Sequence, residues 1–536
     1  MTPNSTAPLH AVDPAADYIE CFNPATGERL GQVKVDTPDD VREAVAKARE
    51  AQKIWAKTSF KTRRKVLDNI MQHILAHVDE LCEVVVKDSG KTFENTMLGE
   101  VMPICNQITW LKKNAEKYLK PEKVGSGLLM HKKARIEYLP MGVVACIIPW
   151  NYPMQNVFGS LVAPLMAGNA VLLKASEAVA WSSQRFQRII DEALQKEGMP
   201  TDLVRILNGY GDTGAALVRA RVDKILFIGS VGNGRRIIEG SAEHLTPVVM
   251  ELGGKDPMII CDDANMEKAI HSALGGCFIN LGQNCVASER IICYEAVYDE
   301  FVARIGEMTR AFRQGVPTAE GKGSVDVGAM VTPQQVAIVD RLVQDAVSKG
   351  AKLIAGGKRP EAVGNYYPPT ILTDVTPEMA IFHEEIFGPV MVIYKVKGEQ
   401  EAIALANVLD LGLHSSIITG NRATGDRIAS QLQAGATCIN DFGMCYMNQD
   451  LPFGGVKYSG FGRMCGRDGL RGYTNQKAVL ADRFPIEIPP VLFPVGKYDY
   501  ENAKSSVQLL FAAGLKTKLH HLLRLVVLSV KKKFAK

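Results

Sequence analysis

The stretch VVACIIPWNY, residues 143–152, decides the fold. Its first six residues are all apolar, and Pro149 and a short turn follow them at once. A short, continuous apolar run that ends at a proline is typical of a strand buried on both faces of a parallel sheet. Asn151 therefore follows the carboxyl end of a strand, which is where ligands bind in open α/β sheets.

The same pattern recurs further along the chain. Buried strands are expected at 170–173, 203–207, 224–228 and 246–250, each preceded by a helical stretch. Strands that alternate with helices in this way indicate a parallel, doubly wound sheet. The pattern restarts after Gly254, with strands expected at 257–263 and 289–295 and in the segments AKLIAGG and PVMVIYKV. We therefore expect two α/β domains.

Composition limits the class of protein. The chain has 536 residues, too many for one ordinary core, and 46% apolar and 22% charged residues, as soluble globular proteins do. From residue 501 onward eight basic residues face one acidic residue, Glu501, so this tail carries +7 and the rest of the chain −3. A near-neutral body argues against nucleic-acid binding, and a basic tail favours an anionic partner. The eleven cysteines contain no CxxC pair, which favours free thiols in a reducing compartment.

Three residues are candidates for catalysis. Cys285, in GQNCVASER, lies where a helical stretch breaks at glycine before a strand, a place where a thiol can act as a nucleophile. Glu251, in VVMELGGKDP, follows an apolar strand and is a candidate general base. Asn151 is a candidate oxyanion donor. Taken singly, a buried structural cysteine and a solvated turn carboxylate are the more common interpretations, and asparagine is also a common turn residue.

Further candidates lie at other strand ends. Lys174 and Glu177 could hold a ribose, or could be an exposed ion pair. Ser230, in FIGSVGNGRR, begins a helix that could bind a pyrophosphate. Glu385 and Phe387 could bind a ribose and a ring, or could be a surface acid and a core phenylalanine. A competing GxGxxG match is formed by Gly209, Gly211 and Gly214.

The order of these signals along the chain is far more specific than any one of them. The series PWN, KxxE, GSxxxG, ELGGK, GQxC, EEIFGPV and PFGGxKxSGxGR resembles the aldehyde dehydrogenase superfamily over residues 20–490. The resemblance implies an NAD-binding domain (20–121 and 141–253) and a catalytic domain (254–460). It also implies a small β oligomerisation arm (122–140 and 461–490), followed by a basic amphipathic tail with a C-terminal helix (491–536).

The resemblance also implies roles for individual residues. Cys285 is then the nucleophile, Glu251 the base that activates the deacylating water, and Asn151 the oxyanion donor together with the backbone N–H of Cys285. The cofactor, NAD with NADP as an alternative, is expected to contact seven residues, and no metal is expected. These residues are Ile148, Trp150, Lys174, Glu177, Ser230, Glu385 and Phe387. The family uses the GSxxxG turn for the pyrophosphate, so the GxGxxG glycines are assigned a structural role.

The chain also departs from the family pattern. Met464 and Arg467 stand where acidic residues are usual, which puts the rate of deacylation in doubt but not the reaction. Gly159 stands where many relatives carry a bulky side chain, so a roomy tunnel for a medium or long aldehyde is expected. The sulfur-rich segment FGMCYMNQD, residues 442–450, is expected to line that tunnel.

The tail carries a second function. A set of apolar residues recurs at spacings of three and four beside lysines, a pattern typical of a helix on an anionic membrane. They are Phe511, Leu515, Leu519, Leu522, Val526, Val530 and Phe534. Docking of the tail on the protein itself or on a second subunit is the alternative.

Three functions remain open. The first is an aldehyde dehydrogenase acting on a small-molecule aldehyde, as a homodimer or homotetramer in the cytoplasm. Its tail, over 505–536, would contact a cytosol-facing membrane such as the endoplasmic reticulum. The second is a semialdehyde dehydrogenase of amino-acid catabolism, and the third is a non-catalytic scaffold that keeps the fold.

Overall fold

The computed structural model describes residues 16–484 and 493–534. The chain forms two compact units, Met1–Pro121 with Glu137–Lys477, and Glu122–Ile136 with Ala478–Lys536. These units cut across the predicted domain boundaries, which remain a prediction. Parts of the predicted arm and tail, 485–492 and 535–536, lie outside the described residues.

The described elements alternate between strands and helices over most of the chain. The strands are β1 Tyr18–Phe22, β2 Arg29–Lys34, β3 Glu122–Val124, β4 Lys132–Pro140, β5 Val143–Ile147, β6 Ala170–Lys174, β7 Val204–Leu207, β8 Lys224–Gly229, β9 Val248–Leu252, β10 Pro257–Ile260, β11 Arg290–Tyr294, β12 Lys352–Ala355, β13 Thr370–Thr373, β14 Val390–Val396, β15 Leu411–Gly412, β16 His414–Ile418, β17 Ala436–Ile439, β18 Val456–Lys457, β19 Gly460–Phe461 and β20 Thr474–Asp482. The α-helices are α1 Pro38–Trp55, α2 Phe60–Ala76, α3 Val78–Ser89, α4 Phe93–Thr96, α5 Met102–Leu119, α6 Pro153–Ala167, α7 Ala180–Lys196, α8 Gly211–Arg219, α9 Val231–Ser241, α10 Met266–Phe278, α11 Glu295–Arg310, α12 Pro333–Ser348, α13 Ala380–His383, α14 Glu399–Asn407, α15 Arg422–Ala429, α16 Met444–Met447, α17 Gly466–Arg471, α18 Asp499–Phe511 and α19 Leu515–Phe534.

The first sheet has the strand order β19-β9-β8-β5-β6-β7. Its five long strands pair in parallel, and the short β19 pairs antiparallel with β9. The central strands β5 and β6 are buried along their whole length, which explains why they read as unbroken apolar runs in the sequence. The predicted doubly wound α/β fold is confirmed.

One predicted strand end was misplaced. Because β9 continues to Leu252, Glu251 lies inside the strand, opposite Gly460 of β19, and not after the strand as the sequence had suggested. The carboxylate is therefore held by regular pairing on both sides of its backbone. A side chain in that position moves less than one on a turn.

The second sheet has the order β12-β13-β14-β11-β10-β16-β17. Apart from the antiparallel β12, its strands pair in parallel. Its two faces are covered by separate apolar clusters centred on residues such as Val339 and Ile291. The segment between β17 and β18, which contains α16, leads away from this sheet toward the site described below.

A three-stranded sheet has the order β20-β4-β3, and in the second unit α18 and α19 pack against each other as a hairpin. The expected single tail helix is two helices, because the chain breaks at Gly514, whose φ of +95° is unfavourable for residues with a side chain. Of the predicted apolar residues, Leu519, Leu522 and Val526 are all exposed on α19. Within the described residues, no helix is long and apolar enough to cross a membrane.

Candidate active site

A cavity of about 1000 Å³ lies at the carboxyl ends of the first sheet's strands. It brings together all ten residues that the sequence singled out for catalysis or cofactor binding. They are Ile148, Trp150, Asn151, Lys174, Glu177, Ser230, Glu251, Cys285, Glu385 and Phe387. Residues up to 239 positions apart in sequence, from Ile148 to Phe387, thus share one site, although their individual roles remain predictions.

Cys285 is held by an unusual turn after α10. Asn280, Leu281 and Gly282 have φ values of 52°, 53° and 66°, so the chain reverses in the left-handed region. A Cβ at Gly282 would overlap the carbonyl oxygen of Gly388, which explains why glycine is needed there. The side chain of Gln283 fixes the turn, since its Nε2 donates to Asn280 O at 3.1 Å and its Oε1 accepts from Val331 N at 3.0 Å.

Asn151 is buried and bonded on every side. Its carbonyl oxygen accepts from Lys91 Nζ at 2.7 Å and from Asn280 Nδ2 at 2.8 Å. Its side-chain Nδ2 donates to Gln283 O at 3.1 Å, and its Oδ1 accepts from Asn156 Nδ2 at 3.2 Å. An amide nitrogen carries two hydrogens, so one N–H remains to donate to an oxygen in the cavity.

A buried ion pair behind Asn151 was missed by the sequence analysis. Lys91 Nζ lies 2.6 Å from Glu100 Oε1, and both side chains are fully buried. Glu100 Oε2 accepts from the backbone N–H groups of Met154 and Gln155, at 2.7 and 3.0 Å, in the first turn of α6. The pair therefore clamps the turn that carries Asn151 onto the start of α6. No local sequence signal joins Lys91 to Glu100, because the chain between them includes a π-helical turn, Met97–Val101.

Glu251 and Cys285 influence each other's protonation. Burial raises the pKa of Glu251 to about 7, and the neighbouring Cys285 thiol acts in the opposite direction. The thiol itself lies 3.9 Å from Asn284 Oδ1, to which it donates. Burial and the negative charge of Glu251 together raise the pKa of Cys285 well above that of a free thiol. Glu251 Oε1 has no hydrogen-bond partner among the described residues. Near neutral pH the Cys285 thiol is therefore protonated, and the Glu251 carboxyl beside it can either gain or lose a proton.

The ribose and pyrophosphate candidates lie at the ends of β6 and β8, the two strands that flank β5. Lys174 Nζ is 3.1 Å from Glu177 Oε2, and the lysine side chain is almost buried while the glutamate is partly exposed. Ser230 caps α9, and its Oγ accepts from Asn233 N at 3.4 Å. A Cβ at Gly232 would meet nothing within 4 Å, so the start of α9 is open to a ligand. A free helix N-terminus of this kind favours an anionic group.

Glu385 and Phe387 are positioned by a second buried pair that the sequence analysis missed. Glu289 is bonded to Lys255 Nζ at 2.9 Å, and it accepts from the backbone N–H groups of Ile386 and Phe387. Glu385 Oε1 in turn accepts from Gly254 N at 2.9 Å, and burial raises its pKa to about 8.

Two local features complete this wall of the cavity. A Cβ at Gly253 would overlap the Glu385 carboxylate, so the glycines of ELGGK leave space for that acid. The ring of Phe387 meets Trp150 edge to face, with the ring centroids 5.4 Å apart.

The opposite end of the cavity is apolar. Cys285 packs against a cluster that includes Val286, Phe453, Tyr446 and Met464. The predicted tunnel segment lines the cavity through Phe442, Gly443, Met444, Tyr446 and Met447, and Tyr152, Asn156 and Gly159 also line it.

Positively charged side chains are scarce in the lining of the cavity. Lys174 and Arg341 are the only Lys or Arg residues among the described residues that line the cavity, and Arg341 is paired with Glu384 at 2.5 Å. Of the two departures from the family pattern, Met464 lines the cavity, whereas Arg467 is exposed and pairs with Asp468 at 3.1 Å.

The chain is similar to known proteins over most of its length. Residues 11–479 match the model of the aldehyde dehydrogenase family. An aldehyde dehydrogenase-like protein of Schizosaccharomyces pombe is 36% identical over 506 residues, which cover 93% of this chain and 95% of the relative. The 4,4'-diapolycopene aldehyde oxidase of a Methylomonas species is 35% identical, covering 92% and 91%.

Other similar proteins are named for other substrates. The NADP+ succinate-semialdehyde dehydrogenase of Deinococcus radiodurans is 34% identical, covering 87% of this chain and 95% of the relative. Among solved structures, the NAD+ complex of an aldehyde dehydrogenase from Bacillus cereus has a TM-score of 0.81 at 32% identity, covering 87% of this chain and 94% of that one.

Proposed function

The chain belongs to the aldehyde dehydrogenase family, and from this premise we propose that it oxidises uncharged aldehydes to carboxylates with NAD+ or NADP+, through a thioester on Cys285. The observation that carries the proposal is one cavity lined by a thiol, a buried carboxyl and a buried amide, those of Cys285, Glu251 and Asn151.

The cavity residues fit a nicotinamide dinucleotide. The open start of α9 at Ser230 suits a pyrophosphate, and Lys174 and Glu177 suit the hydroxyls of a ribose. Glu385 suits the second ribose, beside the wall of Trp150 and Phe387. A carboxylate such as Glu177 repels a 2′-phosphate, which favours NAD+ over NADP+. When bound, the dinucleotide accepts a hydride from the substrate carbon.

Cys285 begins the reaction. Its sulfur adds to the aldehyde carbon while its proton passes to Glu251, the buried carboxyl that lines the same cavity. The substrate oxygen becomes negative and accepts from the free N–H of Asn151 and from the backbone N–H of Cys285. One such donor contributes about 3 kcal/mol to the transition state. Loss of hydride then leaves a thioester on Cys285.

Glu251 completes the cycle. Once it has released its proton to solvent, the carboxylate takes a proton from a water molecule that adds to the thioester carbon. The carboxylic acid leaves, and the sulfur regains a proton. Because Glu251 lies within β9 and is buried, it can act only on a water molecule held beside Cys285.

The lining of the substrate end supports an uncharged aldehyde. A substrate with a second, anionic group needs a cationic partner when it leaves water. Arg341 is already paired with Glu384, and Lys174 lies beside Glu177, so neither is free for that role. The apolar residues around Tyr446 and Met447 offer instead a surface for a hydrocarbon chain.

The test is the formation of NADH and NADPH by the purified protein with unbranched aldehydes of two to sixteen carbons and with succinate semialdehyde. We expect activity with the unbranched aldehydes and its loss in Cys285→Ala. Cys105→Ala is the matched control, because this cysteine is also half-buried but does not line the cavity. Preference for succinate semialdehyde would support the second function, and inactivity with every aldehyde would support a scaffold.

For the tail we propose that α18 and α19 bind an anionic membrane surface. Their exposed apolar residues, such as Leu519 and Val526, form a face that water solvates poorly. Among the described residues from 501 onward, Arg524 and Lys532 pair with Glu501 and Asp499, and the other lysines form no ion pair. These are Lys504, Lys516, Lys518, Lys531 and Lys533. Free lysines beside an apolar face complement an anionic bilayer.

This second proposal is tested by sedimentation with liposomes. We expect binding to vesicles that contain phosphatidylserine, less binding to purely neutral vesicles, and weak binding by the double variant Lys531→Glu and Lys533→Glu. Charge reversal at two exposed lysines outside the tail, Lys57→Glu and Lys61→Glu, is the control. Equal sedimentation of both double variants would rule the proposal out.

A further inference from the structure

A second cluster of reactive side chains lies outside the catalytic pair. The thiols of Cys438 and Cys445 are 3.2 Å apart, and His414 Nε2 is 3.3 Å from the sulfur of Cys438. His414 and Cys438 stand on the neighbouring strands β16 and β17, and Cys445 stands on α16. Cys438 and His414 are buried, whereas Cys445 is partly exposed, so one thiol can be reached from solvent.

We propose that Cys438 and Cys445 are a modification site at which a reversible disulfide ties the tunnel segment to β17. The two sulfur atoms are already in contact, and they need to approach by only about 1.2 Å to reach the length of an S–S bond. The effect on aldehydes rests on the function proposed above, but the formation of the bond does not.

The oxidant is a small disulfide such as glutathione disulfide. The Cys445 thiolate attacks one sulfur of this reagent and releases the first thiol, which leaves a mixed disulfide on Cys445. Cys438 then attacks the sulfur of Cys445 and expels the second thiol. The two protein thiols lose two electrons and two protons, and the small disulfide gains them as two thiols.

The surroundings favour this order of events. The hydrogen bond from Cys438 lowers the pKa of Cys445 to about 7, against the effect of its burial. The partly exposed thiol is thus the better nucleophile toward an external reagent, and the buried thiol is the resolving one. His414 Nε2 lies within reach of the Cys438 sulfur and can take its proton in the second step.

A metal ion suits the same three side chains less well. A histidine that binds a metal normally donates its other ring N–H to a partner, but His414 Nδ1 is buried without a hydrogen bond among the described residues. Two sulfurs bound to one tetrahedral zinc lie about 3.8 Å apart, given a Zn–S bond of about 2.3 Å. The sulfurs of Cys438 and Cys445 are closer than this, at 3.2 Å. The described residues supply only three ligand atoms within 4.8 Å of one another.

The disulfide would act on the wall of the aldehyde tunnel. Tyr446, next to Cys445, is hydrogen-bonded to Gln155 and meets Phe453 edge to face at 5.0 Å. Met447 O accepts from Asn106 Nδ2 at 2.6 Å. Pulling Cys445 toward β17 strains these contacts and moves Tyr446. The residues that hold Cys285 and Glu251 are on other segments, so the chemistry itself should be spared.

The experiment treats the full-length protein with glutathione disulfide and then maps its thiols. Cys438 and Cys445 lie in one tryptic peptide, 428–457, so the bond appears as the loss of two hydrogens and of both alkylation sites. We expect this in the parent, reversed by dithiothreitol. Cys438→Ser should instead stop at the glutathione adduct on Cys445. Alkylation of both cysteines in the oxidised parent would overturn the proposal.

Steady-state kinetics distinguish oxidation at Cys438 and Cys445 from oxidation of the catalytic Cys285. We expect oxidation to raise the KM for a long aldehyde roughly five-fold in the parent, with kcat kept, and to leave the KM of Cys445→Ser nearly unchanged, because that variant can form neither the mixed nor the internal disulfide. Damage to Cys285 would lower kcat in both proteins and would not count. An unchanged KM in the cross-linked parent, or bound zinc that is lost in Cys438→Ser, would contradict the proposal. Failure of the proposed function shows separately, as a reduced parent without activity.

Discussion

The two ends of the cavity are built in opposite ways. Around Asn151 and Cys285 a network of hydrogen bonds holds the backbone, although Glu251 Oε1 stays without a partner among the described residues. Two buried ion pairs, Lys91 with Glu100 and Lys255 with Glu289, lie behind the reacting groups. At the other end the tunnel segment is apolar and is held by a few contacts around Tyr446. A bonded network permits one geometry, whereas an apolar wall permits repacking.

The two ends of the cavity should therefore respond differently to amino-acid substitution. Removing one member of a bonded network leaves a buried charge or dipole unpaired, which is costly. Exchanging one apolar side chain for another changes volume and little else. Changes at the catalytic end should therefore affect stability and kcat, and changes at the tunnel end should affect KM and the choice of aldehyde.

The largest effect is expected from Lys91→Met. The substitution leaves the Glu100 carboxylate buried without its partner, which typically costs about 3 to 5 kcal/mol of unfolding free energy. It also removes one of the two donors to Asn151 O, so the oxyanion donor loses its support and kcat should fall as well. Urea unfolding and steady-state kinetics measure the two effects.

A matched control exists on the surface. Lys47 is paired with Glu43 at 2.7 Å, and both side chains are more than half exposed, so Lys47→Met should change stability by less than about 1 kcal/mol. If Lys91→Met were as harmless as this control, the buried pair would not be what holds Asn151, and the contrast between the two ends would fail.

The same contrast explains what could be predicted from sequence. In the first sheet the expected strands differ from β5, β6, β7 and β8 by one residue or less at either end. These strands are largely apolar and buried over most of their length, and Arg205 of β7 is an exposed exception. In the second sheet β13, β16 and β17 were not predicted. The strand β16 begins with His414, Ser415 and Ser416, which are buried polar residues and interrupt the apolar pattern.

The residues of the site also differ in how well a local sequence pattern could locate them. Asn151, Lys174 and Ser230 were found because each lies next to the end of a strand, which a local pattern can locate. The pairs behind them could not be found in that way. Lys255 and Glu289 lie 34 positions apart, with no periodic relation, and only the folded chain brings them together. Local patterns therefore predict the residues that line the cavity, and long-range packing determines what supports them.

A smaller effect is expected from pH. Because Glu251 accepts a proton only when ionised, the hydrolysis of an acyl group on Cys285 should slow about ten-fold per pH unit below the pKa of Glu251 and level off above it. That pKa is about 7 in the free protein. The Cys285 thiol lowers this pKa, and acylation removes that effect, so the inflection should lie at or above this value.

An ester substrate isolates this step, since deacylation of Cys285 after reaction with p-nitrophenyl acetate needs no dinucleotide. In Glu251→Gln the inflection should disappear and the plateau should drop. An unaltered pH profile in that variant would mean that another group activates the water. The neighbouring acid Glu385, whose pKa is about 8, would then be the first to examine.

The smallest effect, and the one confined to the tunnel, is expected from Gly159→Leu. A Cβ at this position lies 2.6 Å from Gln155 Oε1, the end of a flexible side chain, so the helix can accept it if Gln155 turns away. The leucine then fills space beside Tyr446 that a long aldehyde would occupy. We expect the KM for long aldehydes to rise about ten-fold, or roughly 1.4 kcal/mol, with kcat and the KM for acetaldehyde nearly unchanged. Gly159→Ala is the control, because it moves Gln155 but adds little volume. If alanine raised the KM as much as leucine does, the width of the tunnel would not set the choice of aldehyde. The hydrogen bond from Gln155 to Tyr446 would set it instead.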